Sequence, residues 1–166
     1  MLLEAKSVSC FSSQFVLKID GRPLGTFQNR WFSETLDIDL SGRRHLQFRK
    51  VGWLGGSFDL ADLAQDRLLG SCKPSGFFRS SWDLELSVGL GQLQRAGWFT
   101  SVCEFVHDDK VLARVDRFGW CERGWFVEGA EILVMEDLLL IGLAYHVIEQ
   151  RQASQQSHVG VHGAGS

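Results

Sequence analysis

The sequence predicts a mainly β fold: a closed antiparallel meander barrel of about twelve strands wrapped around one hydrophobic C-terminal α-helix. Three observations predict it. A unit of 21–24 residues recurs five times along the chain. Each unit ends in a period-two pattern, the spacing of a strand with one buried face. After the last unit comes a segment, Leu138–Ile148, that is apolar on every side of a helix.

The repeat is anchored on aromatic residues. Trp31, Trp53, Phe77, Trp98 and Trp120 lie 22, 24, 21 and 22 residues apart. Glycine precedes four of them, at Gly52, Gly76, Gly97 and Gly119, whereas Arg30 precedes the first. Five residues after each aromatic stand Leu36, Phe58, Trp82, Cys103 and Trp125, and seven after stand Ile38, Leu60, Leu84, Phe105 and Val127. Between each pair lie Asp37, Asp59, Asp83, Glu104 and Phe126. The stretches before the aromatics, such as "PLGTF", "LLGSC" and "VLARV", also read as strands. Each unit is therefore two antiparallel strands, with the glycine at the bend between them. Asp20-Gly21, Ser41-Gly42, Gln65-Asp66, Gly89 to Gly91 and Asp108-Asp109 mark turns between units. Two further strands, near residues 3–10 and 15–20, precede the series. A unit of this length is too short for a propeller blade, and the leucine-rich pattern is missing.

The terminal helix reads over residues 136–152, with Glu136 and Asp137 at its start and Arg151 near its end, as the helix dipole favours. Crossing a bilayer takes about 20 apolar residues. Extending this segment backward places Glu136 and Asp137 inside the membrane, which is costly, so burial within the protein is expected. Twelve strands spaced about 4.8 Å and tilted about 40° enclose a backbone radius of roughly 12 Å. A helix about 10–12 Å wide fills that space.

The bulk composition is that of a soluble globular chain of 166 residues, 45% hydrophobic and 22% charged. A net charge of −3 argues against a general nucleic-acid partner. Cys10, Cys72, Cys103 and Cys121 form no CxxC pair, so neither a zinc site nor a thioredoxin motif is indicated. No secretory signal follows Met1, which leads to an expectation of reduced cysteines and a cytoplasmic location.

The hairpin series through "LLGSCKPSGFFRSSWDLEL" and "VLARVDRFGWCERGWFVE", followed directly by "EDLLLIGLAYHVI", resembles the tubby C-terminal-like superfamily. The likeness is greatest to its short LURP-one-related and phospholipid scramblase-like members. It implies a barrel with a central helix over residues 1–152, leaving 153–166 as a polar, disordered tail. It also implies a membrane-associated binding role, because tubby-type domains hold phosphoinositide headgroups on surface lysine and arginine. No active-site signature of the family occurs in this chain.

The candidate ligand residues are Arg43, Arg44, Arg49 and Lys50, four cations within eight residues. With Leu46 and Phe48 inward, Arg43, His45, Gln47 and Arg49 would share an outer face that could receive an anionic headgroup. The alternative is a solvated face with edge-protecting cations. The acidic row Asp37, Asp59, Asp83 and Glu104 is not expected to hold a metal. Its members fall on alternate strands, about 9.6 Å apart, whereas calcium ligands lie within about 2.6 Å of the ion. Cys103 with His107, or Cys72 with Cys121, could be paired as nucleophile and base, but Cys103 has inward parity and no oxyanion or phosphate-loop motif accompanies it. His146 reads as a core histidine, and His158 and His162 as tail residues. The expectation is thus a non-enzymatic module without cofactor or metal. It would engage an anionic membrane surface or phosphoinositide as a peripheral protein; the alternative is a protein-interaction or housekeeping scaffold without a small-molecule ligand.

Overall fold

The computed structural model describes residues 1–29, 35–52, 56–75, 81–119 and 122–159, with side chains to residue 154. Its elements are β1 (Leu2–Ser7), β2 (Gln14–Ile19), β3 (Arg22–Gln28), β4 (Leu36–Leu40), β5 (Arg44–Val51) and β6 (Ser57–Asp62). They continue with β7 (Arg67–Ser75), β8 (Ser81–Leu86), β9 (Gly89–Arg95), β10 (Cys103–His107), β11 (Lys110–Arg117), β12 (Gly124–Gly129) and α1 (Met135–Val159). Every strand pairs antiparallel with its sequence neighbours, and β1 closes on β12 from Leu2 opposite Glu128 to Lys6 opposite Gly124. The twelve-stranded barrel is therefore closed and has no free edge.

Period two sets which side chains face inward. All ten repeat positions read as apolar, from Leu36, Phe58, Trp82, Cys103 and Trp125 to Ile38, Leu60, Leu84, Phe105 and Val127, are at most 4% exposed. The acids between them face outward and pair across strands. Asp37 accepts from Gln47 at 3.1 Å, Asp83 from Gln92 at 3.2 Å and Glu104 from Arg114 at 2.9 Å, while Asp59 sits opposite Arg49. Tight turns close the hairpins where φ is positive, as at Asp20 (47°) and Gly21 (75°), the conformation a two-residue hairpin requires.

The helix lies inside the barrel. Leu138 to Val147 are all buried, which accounts for a helix that is apolar all round. Its close approach to β12 depends on Gly142, where a Cβ would overlap the indole ring of Trp125. Asp137 holds the helix start: its carboxylate accepts from Val134 N at 3.1 Å, from Ser87 N at 2.8 Å and from Ser87 Oγ at 2.5 Å. No described helix is long and apolar enough to cross a membrane.

Two expectations change. The helix runs on to Val159, past residue 152, where the polar tail was expected to begin. Ser154 returns its hydroxyl to Gln150 O at 2.9 Å and so keeps the helical turn closed. Trp98, one of the repeat aromatics whose regular spacing reads as core, instead lies in the connection between β9 and β10 and is 97% exposed. A connection has no strand parity, so the spacing alone could not say which way Trp98 faces. Trp31, Trp53, Phe77 and Trp120, with Gly76, Cys121 and His162, lie outside the described residues, as does the side chain of His158.

Candidate functional site

A meander gives the barrel two unlike ends. The connections after β1, β3, β5, β7, β9 and β11 lie at one end, where the C-terminal half of α1 emerges. The connections after β2, β4, β6, β8 and β10 lie at the other, where α1 enters. Arg44 with Glu136 marks the entry end, and Arg95 with Glu149 and Gln152 marks the exit end.

The basic run of β5 is divided between these ends. From Arg44 to Lys50 the strand rises about 20 Å, so the four candidate residues form no single patch. Arg43 is a turn residue with φ of 65° rather than a member of the outer face. Arg44 shares the inward parity of Leu46 and Phe48. It donates from Nε to Asp62 Oδ2 at 2.7 Å and from Nη1 to Glu136 Oε1 at 2.6 Å. Those bonds raise the Arg44 pKa, and the Arg44 hydrogen bond holds the Asp62 carboxyl below the usual carboxylate range. His45 does face outward, as expected, with Nδ1 2.5 Å from Asp39 Oδ1. Only Arg49 and Lys50 approach the exit end.

There they join other exposed cations. Lys6, Arg49, Lys50, Lys73, Arg117 and Arg123 are exposed on that half of the barrel, against one exposed carboxylate, Glu122, among the described residues. On the entry half the balance is reversed: Asp20, Asp39, Asp66, Glu85, Asp108, Asp109, Glu128 and Glu131 outnumber Lys18, Arg22, Arg43, Arg67 and Lys110. The exit end also carries the most exposed aromatics of the described residues, Phe11 at 95%, Trp98 at 97% and Phe99 at 106%. Phe11 and Phe99 were missed in the sequence. The signal that could have found them is topological, because alternate connections of a meander must fall on one end.

The exit end is partly sealed. Arg151 lies over the rings of Phe58 and Trp82, 5.3 and 5.4 Å from their centroids, and Arg95 bonds Glu149 at 3.3 Å and Thr100 O at 2.8 Å. Beside β11 and β12 it is open, and a cavity of about 730 Å³ reaches down to Phe15, Trp125, Tyr145 and His146. His146 sits edge-on to Phe15 and Phe27, at 5.2 and 5.6 Å, and burial lowers its pKa to about 4.

The Cys103–His107 pair is not assembled. Cys103 faces inward at the exit end, and burial pushes its thiol up to about 11. His107 lies at the other end of the same strand, with Nδ1 2.9 Å from Leu90 O. Burial also raises the Cys72 pKa, and Cys121 is outside the described residues. Among the described residues no group of three His, Cys, Asp or Glu could hold a metal ion.

The chain matches no protein-family model, no curated protein and no solved structure.

Proposed function

We propose that this protein is a non-enzymatic, tubby-like binding module that docks the exit end of its barrel on an anionic membrane surface. The observation that carries this reading is the full exposure of Phe11, Trp98 and Phe99 on two connections of that end. Aromatic rings settle at the headgroup level of a bilayer, where an apolar face and a polar edge are both accommodated. The surrounding cations add about 1 kcal/mol each near an anionic leaflet. Phosphoinositides are one anionic lipid such a surface would accept. In this reading Arg49 and Lys50 contribute and Arg43 and Arg44 do not.

Vesicle flotation tests it, with phosphatidylcholine alone, with phosphatidylserine added and with a phosphoinositide added, each across a salt series. Wild type is expected to float only with anionic vesicles and less so as salt rises. Trp98→Ser/Phe99→Ser and Lys50→Glu/Lys73→Glu are each expected to abolish flotation, and Arg43→Ala to leave it intact. Loss with Arg43→Ala alone would move the site to the entry end. No flotation of wild type would overturn the reading in favour of a protein-interaction scaffold. The entry end favours that second reading: Leu63, Leu68, Leu90 and Ile132 are 50–65% exposed there among its carboxylates.

A further inference from the structure

The two ends of the barrel differ in shape as well as in charge. At the exit end the β9–β10 connection carries a knob of two neighbouring aromatic residues, Trp98 and Phe99, both fully exposed. Side chains of this size that bury nothing within their own chain mark a contact with something else. Cations stand beside them. Ser101 Oγ donates to Asp116 Oδ1 at 2.5 Å, which ties the connection to the end of β11, where Arg117 is exposed. Arg123, just before β12, is also exposed and donates to Cys10 O at 3.0 Å.

The entry end holds the counterpart. A groove of about 520 Å³ runs from its rim along the outer face of β9, with Leu90 and Val106 as apolar walls and Asp83, Asp108 and Asp109 as carboxylates. Among the described residues no lysine or arginine lines it. Exposed Leu68 and Ile132 extend the apolar surface along the rim. Asp66, Glu85 and Glu131 are exposed around it with Asp108 and Asp109, against Arg67 and Lys110. An aromatic knob with cations thus has its match in an apolar groove with carboxylates on the same molecule.

We propose that the occupant of this groove is a second copy of the chain. Trp98 and Phe99 of one copy enter the groove of the next, and Arg117 and Arg123 face its Asp108 and Asp109. A copy cannot fill its own groove, because β9, which rises about 20 Å, separates the groove at its start from the knob beyond its end. One patch meets a different patch, so each added copy presents a fresh knob and the contact propagates head to tail. The inference is independent of the membrane reading, although both use Trp98 and Phe99 and would therefore compete at the exit end.

Sedimentation velocity on the full chain tests it over a range of concentrations, at low and at high salt. The mass of wild type is expected to grow with concentration and to fall back toward the monomer as salt rises. Trp98→Ser/Phe99→Ser removes the knob and Leu90→Lys puts a cation in the groove, and each is expected to abolish association. Both changes are at exposed positions, so melting should follow wild type. Mixed in equal amounts, the two variants should form a dimer and nothing larger, because the intact groove of the first accepts the intact knob of the second. A wild type that stays monomeric at low salt would overturn the proposal. So would a mixture without dimer, or a Leu90→Lys protein that associates like wild type, which would mean that exit ends meet one another. Leu90→Lys should float with anionic vesicles as wild type does, so failure of this contact and failure of membrane docking are read separately.

Discussion

Arg44 on β5 and Asp62 on β6 form an ion pair of 2.7 Å at the mouth through which the helix enters, and the same guanidinium reaches Glu136 in the first turn of that helix. Asp62 is fully buried as a side chain and also accepts from the backbone N–H groups of Ala64 and Gln65, at 3.1 and 3.2 Å. The arrangement joins two strands, a turn and the helix start through one cation. A residue that looked like a ligand donor is thus a structural clamp.

Arg44→Ala takes the cation from Asp62 and Glu136 and leaves Asp62 only its two backbone donors, and is expected to lower stability in chemical denaturation. The pH dependence follows from the depressed Asp62 pKa. Such a group contributes stability that is full above its unfolded value of about 3.9 and is lost as pH falls through the lower folded value. Wild type should therefore lose stability in this acid range, and Arg44→Ala should lose less of it. An unchanged acid limb in the variant would refute the clamp.

His146 gives a second, separate pH window. Its folded pKa of about 4 lies below the unfolded value of 6.5. Between these values the unfolded chain binds the extra proton, so stability falls as pH drops from about 6.5 to 4, by about 3 kcal/mol. His146→Leu should flatten that part of the stability profile while leaving the more acidic limb from Asp62 in place. Urea unfolding at successive pH values reads both.

Gly142→Ala should destabilise the protein although alanine is the better helix former by about 1 kcal/mol. The added methyl would meet the indole of Trp125 inside a closed barrel that has no room to open. Overpacking of this kind costs about 1–3 kcal/mol. Trp125→Phe in the same chain should recover part of the loss, and calorimetric melting of the two single variants and the double measures the coupling.

Much of the fold was legible because period two and the helix period are local properties. The alternation at Trp82-Asp83-Leu84 fixes a face without reference to any other part of the chain, and the apolar run from Leu138 requires a coat that only the strands could supply. The site was less legible. Parity alone turned Arg44 inward with Leu46 and Phe48, but its partners, Asp62 and Glu136, are 18 and 92 residues away. The division of the basic run between two ends is a consequence of strand length, which a count of neighbouring cations ignores.

The outward placement of Trp98 and the inward placement of Trp82 make a paired test of the repeat. Trp98 and Phe99 bury almost nothing within the fold, so Trp98→Ser/Phe99→Ser should change stability by no more than about 0.5 kcal/mol. Trp82 is 4% exposed, with its ring centroid 6.1 Å from that of Phe58 and Arg151 above it, so Trp82→Ala should cost about 3–5 kcal/mol. If the aromatic of each unit were core, as its spacing suggested, the first substitution would be as damaging as the second. Thermal melting of both variants decides the matter. A stable Trp98→Ser/Phe99→Ser protein also makes its flotation result interpretable, because loss of membrane binding could not then be assigned to unfolding.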